Sequence, residues 1–290
     1  MQALTAGLEK EFAYCADVTA QHYENFSVIS WFIPKDLRPH FCALYAYCRG
    51  VDDLGDEWTG NRLEALDQWE QQLDLCYNGR PTHPIFRALQ ISIQTYHLEK
   101  RDFLALIEAN RMDQSISSYE TFSDLAAYCA CSANPVGRLV LQLFGYRDDR
   151  RQKLSDDICT ALQLANFLQD LSVDIPRGRL YIPLEDLRQF DVDLTDLQAG
   201  RFNRQISCLM DFEIQRTEQF FRSGQPLEHM VPTRLGKQLR LYRLGGQAIL
   251  EALRRRGGNP FPRPTVSALA KAMLIVKLFI SPRHIGGESH

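Results

Sequence analysis

Apolar residues recur at helical spacing along nearly the whole chain. In "DLRPHFCALYAYCRGVDDLGDEW", Phe41, Leu44, Tyr45 and Cys48 fall on one stripe, with Asp36 placed as a cap and Pro39 near the first turn, where proline is tolerated. "NRLEALDQWEQQLDLCYNG" sets Leu63, Leu66, Trp69, Leu73 and Cys76 on a second stripe and stops at Gly79. "RDFLALIEANRMDQSI", "FSDLAAYCACSANPVGRLVLQLFGY", "SDDICTALQLANFLQDLSVDI", "FNRQISCLMDFEIQRTEQFFRSG" and "RLGKQLRLYRLGGQAILEALRRRGG" continue the pattern. No alternating run marks a strand, and no short repeat, low-complexity tract or long linker marks a boundary. The pattern predicts an all-α fold, with residues 1–290 as a single domain.

Two of these helices end in acids. The first runs from "FCALYA" into Asp52, Asp53, Asp56 and Glu57. The second, with Leu162, Leu164, Phe167, Leu168 and Leu171 as its apolar residues, carries Asn166, Asp170 and Asp174, and Pro176 places Asp174 in the last turn. Residues four apart differ by about 40° around a helix, so each set shares a face. Spacing alone does not make a site. With 21 Asp in the chain, about 1.5 Asp-x-x-x-Asp pairs are expected by chance, and two occur; a solvated acidic face is the default for either alone. Context argues further, because a helix C-terminus carries partial negative charge and repels carboxylates unless a cation compensates. Arg49 precedes the first set, and Arg177 and Arg179 follow the second. Hard Mg²⁺ takes a few carboxylate oxygens together with substrate phosphates and waters, and the arginine fork suits the same phosphates.

Composition narrows the setting. The chain is 45% apolar, enough for a sizeable core, and its net charge of −3 and pI near 6.2 argue against a nucleic-acid partner. The first twenty residues lack the basic-then-apolar layout of a signal peptide. "VSALAKAMLIVKLFI" is interrupted by Lys271 and Lys277, and is too short and charged to span a bilayer. Eight cysteines lie scattered through helical segments, with Cys129 and Cys131 as a C-x-C that is not a zinc spacing. Reduced thiols and a cytoplasmic location, with at most peripheral contact with a membrane surface, are the expectation. Arg254–Arg256 most simply complements a helix C-terminus; contact with anionic lipid is the alternative.

"FSVISWFIPKDLRPHFCALYAYCRGVDDLGDE" and "ALQLANFLQDLSVDIPRGRLYIPLEDL" together resemble the two signatures of the squalene/phytoene synthases, the head-to-head isoprenoid synthases, and the resemblance covers nearly the whole chain. It implies one α-helical domain around a central apolar channel. The family's Mg²⁺ ligands fall on Asp52, Asp56, Asn166, Asp170 and Asp174. His22, Arg49, Tyr45 and Arg179 match positions at its diphosphate site, with Arg177 beside them, and Tyr128 and Tyr242 match tyrosines near the reacting carbons. Tyr45, Tyr128 and Tyr242 are thus the candidate catalytic residues. On the residues alone, the three tyrosines read as core tyrosines with one bonded hydroxyl, and His22 as a satisfied histidine.

The departures from the family pattern carry information. Glu24 and Asn25 stand where relatives often have Lys and Ser. "SANPVG", residues 132–137, replaces a Val-Ala-Gly-x-Val-Gly run, and Pro135 should kink its helix. One reading is a packing variation; the other is that Ser132 and Asn134 set polar groups beside the path of a carbocation. With "NFLQD", this stretch resembles the bacterial hydroxysqualene synthases of hopanoid biosynthesis. Those take the prenyl diphosphate presqualene diphosphate from a sister synthase and quench the rearranged cation with water. The reading implies Mg²⁺ and no NADPH. The rival is head-to-head condensation, of farnesyl diphosphates to presqualene diphosphate or squalene, or of geranylgeranyl diphosphates to phytoene. A non-catalytic assembly or lipid-binding relative would be expected to have lost the acids, which are all present.

Overall fold

The computed structural model describes residues 7–22 and 33–265, the side chain of His22 excepted. Twelve α-helices follow one another in these residues: α1 Glu9–His22, α2 Arg38–Asp56, α3 Arg62–Asn78, α4 Pro84–Tyr96, α5 Lys100–Met112, α6 Phe122–Ser132, α7 Asn134–Leu143, α8 Asp149–Asp174, α9 Leu184–Gln189, α10 Leu194–Gln198, α11 Arg204–Gly224 and α12 Thr233–Arg254. Short 3₁₀ turns follow α8 and α11, and the only β-type pairing among the described residues is an isolated bridge between Ser118 and Leu180. The all-α expectation holds.

Local chemistry sets the helix ends. Asn61 caps α3 by accepting from the Glu64 N–H, and Gly79 closes it. Asp148 caps α8, accepting from the Arg151 N–H at 3.0 Å. The cap expected at Asp36 is not used. The N–H groups of Leu37 and Arg38 turn back onto the Pro34 carbonyl, at 3.0 and 3.2 Å, so the backbone itself enters α2. Leu66, Trp69, Leu73 and Cys76 form the buried stripe of α3 as the spacing predicts; Leu63, in the first turn, is exposed instead.

Apolar packing gathers into two large clusters. One is built from α1 to α5 with α7 and centres on Tyr47, fully buried, whose hydroxyl donates to the Phe103 carbonyl at 2.9 Å among Trp69, Phe86 and Phe103. The other joins α8 to α12. A smaller cluster, with Tyr119, Leu125, Tyr128, Leu164 and Phe167, packs α5, α6 and α8 together.

"SANPVG" breaks a helix rather than bending one. The chain leaves α6 at Ala133 and restarts as α7, with Pro135 in the first turn, where its missing N–H costs no helical bond. Much of the motif then serves packing. Asn134 is buried and accepts from the Thr160 hydroxyl at 3.0 Å. A Cβ on Gly137 would come within 2.3 Å of Ser155 Oγ and 2.6 Å of Cys159 Sγ, so glycine lets α7 lie close on α8.

Among the described residues, no helix is long and apolar enough to cross a membrane. All eight cysteines are free thiols. The apolar segment from Val266 onward lies outside the described residues. Each arginine of the run has a partner within the protein. Arg254 pairs with Glu218, Arg255 with Glu251, and Arg256 donates to the carbonyls of Phe261 and Pro262.

Candidate active site

The acid-bearing faces of α2 and α8 meet in one cleft of about 260 Å³. Asp52 and Asp56 enter it from α2, and Asn166, Asp170 and Asp174 from α8. Their placement follows from the four-residue spacing, since each set lies along one face of its helix. A close approach fixes the α2 side. A Cβ on Gly55 would meet Asn110 Oδ1 at 2.0 Å, so the glycine admits the Asn110 side chain from α5. Asn110 then donates to Asp52 Oδ1 at 3.3 Å and to the Leu106 carbonyl at 3.1 Å, while Gln114 donates to the Gly55 carbonyl at 3.1 Å.

On the α8 side, Pro176 forces the chain into a 3₁₀ turn, Ile175–Arg177, which Gly178 ends at a φ of +78°. The following residues are tied by main-chain bonds. Leu180 donates to the Ser117 carbonyl at 2.8 Å, Leu184 to Tyr119 at 2.9 Å and Glu185 to Glu120 at 3.0 Å. This segment carries Arg179 and Tyr181 to the cleft wall. Arg179 pairs with Asp56 at 2.9 Å and so links the ends of the two acidic helices. Asp170 pairs with Arg263, and the neighbouring Gln169 donates to the Pro264 carbonyl at 2.9 Å.

The electrostatics are those of crowded acids. Burial, then the adjacent Asp56 and Asp53, push the Asp52 carboxyl up to about 6 against the bond from Asn110. Burial and the neighbouring Asp170 raise Asp174 to about 6, with Arg177 and Arg179 opposing. Repulsion and desolvation both favour a bound cation here. Among the described residues no three His, Cys, Asp or Glu side chains converge on one point. Mg²⁺ does not demand that, because it takes one or two carboxylates and completes its shell with phosphate oxygens and water. The all-oxygen donor set fits such an ion.

The cleft is also lined by a stack of aromatic rings. Phe167 and Tyr181 stack at 4.0 Å and 6°, and Tyr128 lies over Tyr181 at 5.7 Å and 27°. Leu106 and Ala109 complete the apolar side. Asp113, just past α5, accepts from the Tyr128 hydroxyl at 2.8 Å and from Tyr181 at 3.3 Å, and burial raises its carboxyl. Asp113, Phe167 and Tyr181 are cleft residues that the sequence reading did not place among the candidates. The aromatics sit within the quoted second signature, but a lone acid ending a helix gives no periodic signal.

Of the candidates, the cleft collects Asp52, Asp56, Tyr128, Ser132, Asn166, Asp170, Asp174 and Arg179. The others stand elsewhere. Arg49 is held by Asp53 and by Glu57, the latter at 2.8 Å. Arg177 is exposed beside Asp174, acting on it only through its charge. Asn134 is bonded to Thr160. Tyr45 is half-buried on α2 outside the cleft lining. Tyr242 packs on Ile33, Leu37 and Phe41, its hydroxyl accepting from Gln238 at 2.9 Å. His22 ends α1 with its side chain outside the described residues, and Glu24 and Asn25 lie outside them too.

Two aspartate-bearing helices thus share one cleft with an arginine and a stack of aromatic rings, in an all-α protein. Residues 19–270 match the squalene/phytoene synthase family, and the chain belongs to that family. It is 32% identical over 225 residues to the phytoene synthase of Arthrospira platensis, covering 72% of this chain and 73% of the relative. Among solved structures it is similar to the squalene synthase HpnC from Alicyclobacillus acidocaldarius, with 52% identity, a TM-score of 0.86, and coverage of 88% of this chain and 97% of that one. A dehydrosqualene synthase solved with a ligand superposes with a TM-score of 0.86 at 25% identity, over 95% of this chain and 98% of the other.

Proposed function

We propose that the protein converts presqualene diphosphate and water to hydroxysqualene and diphosphate, in a Mg²⁺-dependent reaction. The observation that carries the class of chemistry is the single cleft shared by Asp52, Asp56, Asn166, Asp170, Asp174 and Arg179. The choice within that class is supported by the "SANPVG" departure, through its resemblance to the hydroxysqualene synthases.

Bound Mg²⁺ would neutralise charge developing on the diphosphate as its C–O bond breaks. Asp52 and Asp56 from one side, and Asn166, Asp170 and Asp174 from the other, are the oxygen donors that would hold it. Arg179 adds a fixed positive fork at the same mouth. Tyr128, Phe167 and Tyr181 present ring faces, which favour a cation in an apolar setting. Overall the step replaces a C–O bond to diphosphate with a C–O bond to water and releases one proton. It is redox-neutral, so no NADPH is required.

The test is incubation of the purified protein with Mg²⁺ and presqualene diphosphate, without NADPH, followed by identification of the thirty-carbon product. A tertiary alcohol is the expected result. The similarity to proteins called phytoene and squalene synthases favours a second reading, head-to-head condensation. Formation of presqualene diphosphate or squalene from farnesyl diphosphate, with no alcohol from presqualene diphosphate, would establish that reading instead.

The raised carboxyls give a pH signature. In the metal-free protein, Asp52 and Asp174 hold their protons up to about pH 6, whereas in the unfolded chain Asp releases them near ~3.9. Their contribution to folding is therefore fully present below the unfolded value and is lost as pH rises through 6. Thermal unfolding should show these groups costing stability between pH 4 and 7. Added Mg²⁺ should restore it at pH 7 and have little effect at pH 5, because ligands must first lose their protons. Equal Mg²⁺ stabilisation at both pH values would contradict the assignment.

A further inference from the structure

Ser132 is the last residue of α6 and lines the cleft beside Tyr128, Phe167 and Leu106. Its Oγ is buried and makes no hydrogen bond with the described protein. Such a hydroxyl near a helix end ordinarily bonds back to the carbonyl four residues earlier; here it does not. A hydroxyl offers one hydrogen and two lone pairs, and leaving it buried without a partner is unfavourable. Two other polar groups of the same cleft are committed elsewhere. The Tyr128 hydroxyl is given to Asp113, and the Asn110 amide to Asp52 and the Leu106 carbonyl. The other polar residue distinctive of the motif, Asn134, is turned away to Thr160. A buried, uncommitted hydroxyl on the aromatic side of a cation-forming cleft is chemically suited to hold one water molecule.

We infer that Ser132 positions the water that ends the reaction, and so decides whether the cation leaves as an alcohol or as a hydrocarbon. The inference rests on the water-quench reading above. Ser132 accepts one hydrogen of the water, which turns an oxygen lone pair toward the cation. That lone pair forms the new C–O bond, and the extra proton on the resulting oxonium passes to the diphosphate released in the same turnover. No oxidant or reductant takes part. Ser132 acts here as a positioning residue: it makes no covalent bond to substrate.

The experiment follows presqualene diphosphate with Mg²⁺ in ¹⁸O-labelled water, measuring diphosphate release and labelled alcohol separately. The proteins are the unaltered chain, Ser132→Ala, Ser132→Cys, which keeps the size with a weak hydrogen-bonding group, and Ser132→Thr, which keeps the hydroxyl. In Ser132→Ala and Ser132→Cys, diphosphate release should stay within about threefold of the unaltered rate while the alcohol formed per diphosphate falls about tenfold or more, elimination products replacing it. Ser132→Thr should recover the alcohol. An unchanged alcohol-to-diphosphate ratio in both Ala and Cys variants, or a parallel loss of both products, would overturn the role of Ser132. Failure of the unaltered protein to make alcohol from presqualene diphosphate would overturn the parent reading, and it would be seen before any variant is compared.

Discussion

Asp52→Asn and Asp170→Asn are each expected to lower kcat/KM for the diphosphate substrate by about 10³-fold or more, the scale of losing a charge-stabilising group at a reacting oxygen. Folding should not account for the loss. Asp52 is a carboxylate whose charge the fold opposes, so its amide should be tolerated or slightly favoured. Asp170 gives up its pairing with Arg263, a partly exposed contact worth about 0–1 kcal/mol. The informative comparison is Asp53→Asn. Asp53 is adjacent in sequence but paired with Arg49 and absent from the cleft lining. It should retain activity within about tenfold, which is well short of the loss expected at a charge-stabilising position. Diphosphate release assays on the three variants check this, and equal losses at Asp52 and Asp53 would mean that α2 matters as a charged unit rather than through the face it shows to the cleft.

Asp113→Ala should have the second large effect, on structure as much as on rate. The change leaves the Tyr128 and Tyr181 hydroxyls without the acceptor that now takes both. A buried polar group stripped of its partner costs about 1–3 kcal/mol, which chemical denaturation would register as a lower midpoint. Near-ultraviolet circular dichroism should change as well, because the two rings and Phe167 form one stack. Combining Asp113→Ala with Tyr128→Phe removes one of the orphaned hydroxyls, so the pair should cost less than the sum of the single changes. Strict additivity would show that Asp113 does not hold Tyr128 in place.

The helices and the two acidic registers were legible because a helix has a fixed period, and period needs no knowledge of what lies opposite. Leu66, Trp69 and Asp170 declare their faces through their neighbours three and four residues away. Partners across the fold carry no such signal. Arg49 is chemically suited to a diphosphate, yet it sits within reach of two acids on its own helix and just beyond it. Tyr242 carries the same phenol as Tyr128 but lies outside the cleft lining, where its hydroxyl accepts from Gln238 one turn earlier. Ser132 and Asn134, two residues apart in one motif, separate because the helix breaks between them, leaving one on the cleft and one against Thr160. Asp113 shows the converse. Nothing in "RMDQSI" marks it, and its importance comes from two tyrosines 15 and 68 residues away in the chain.

The segment that brings Arg179 and Tyr181 to the cleft is fastened to residues 117–120 through main-chain groups at Leu180, Leu184 and Glu185. Those bonds do not depend on which side chains positions 179 and 181 carry. The chemistry of this edge of the cleft is thereby uncoupled from the scaffold that supports it. Substitutions at the two positions can alter the lining of the cleft without unmaking the loop, and the amides of the three anchoring residues should stay protected from exchange throughout such a series. A directed search for new products has its natural starting point there.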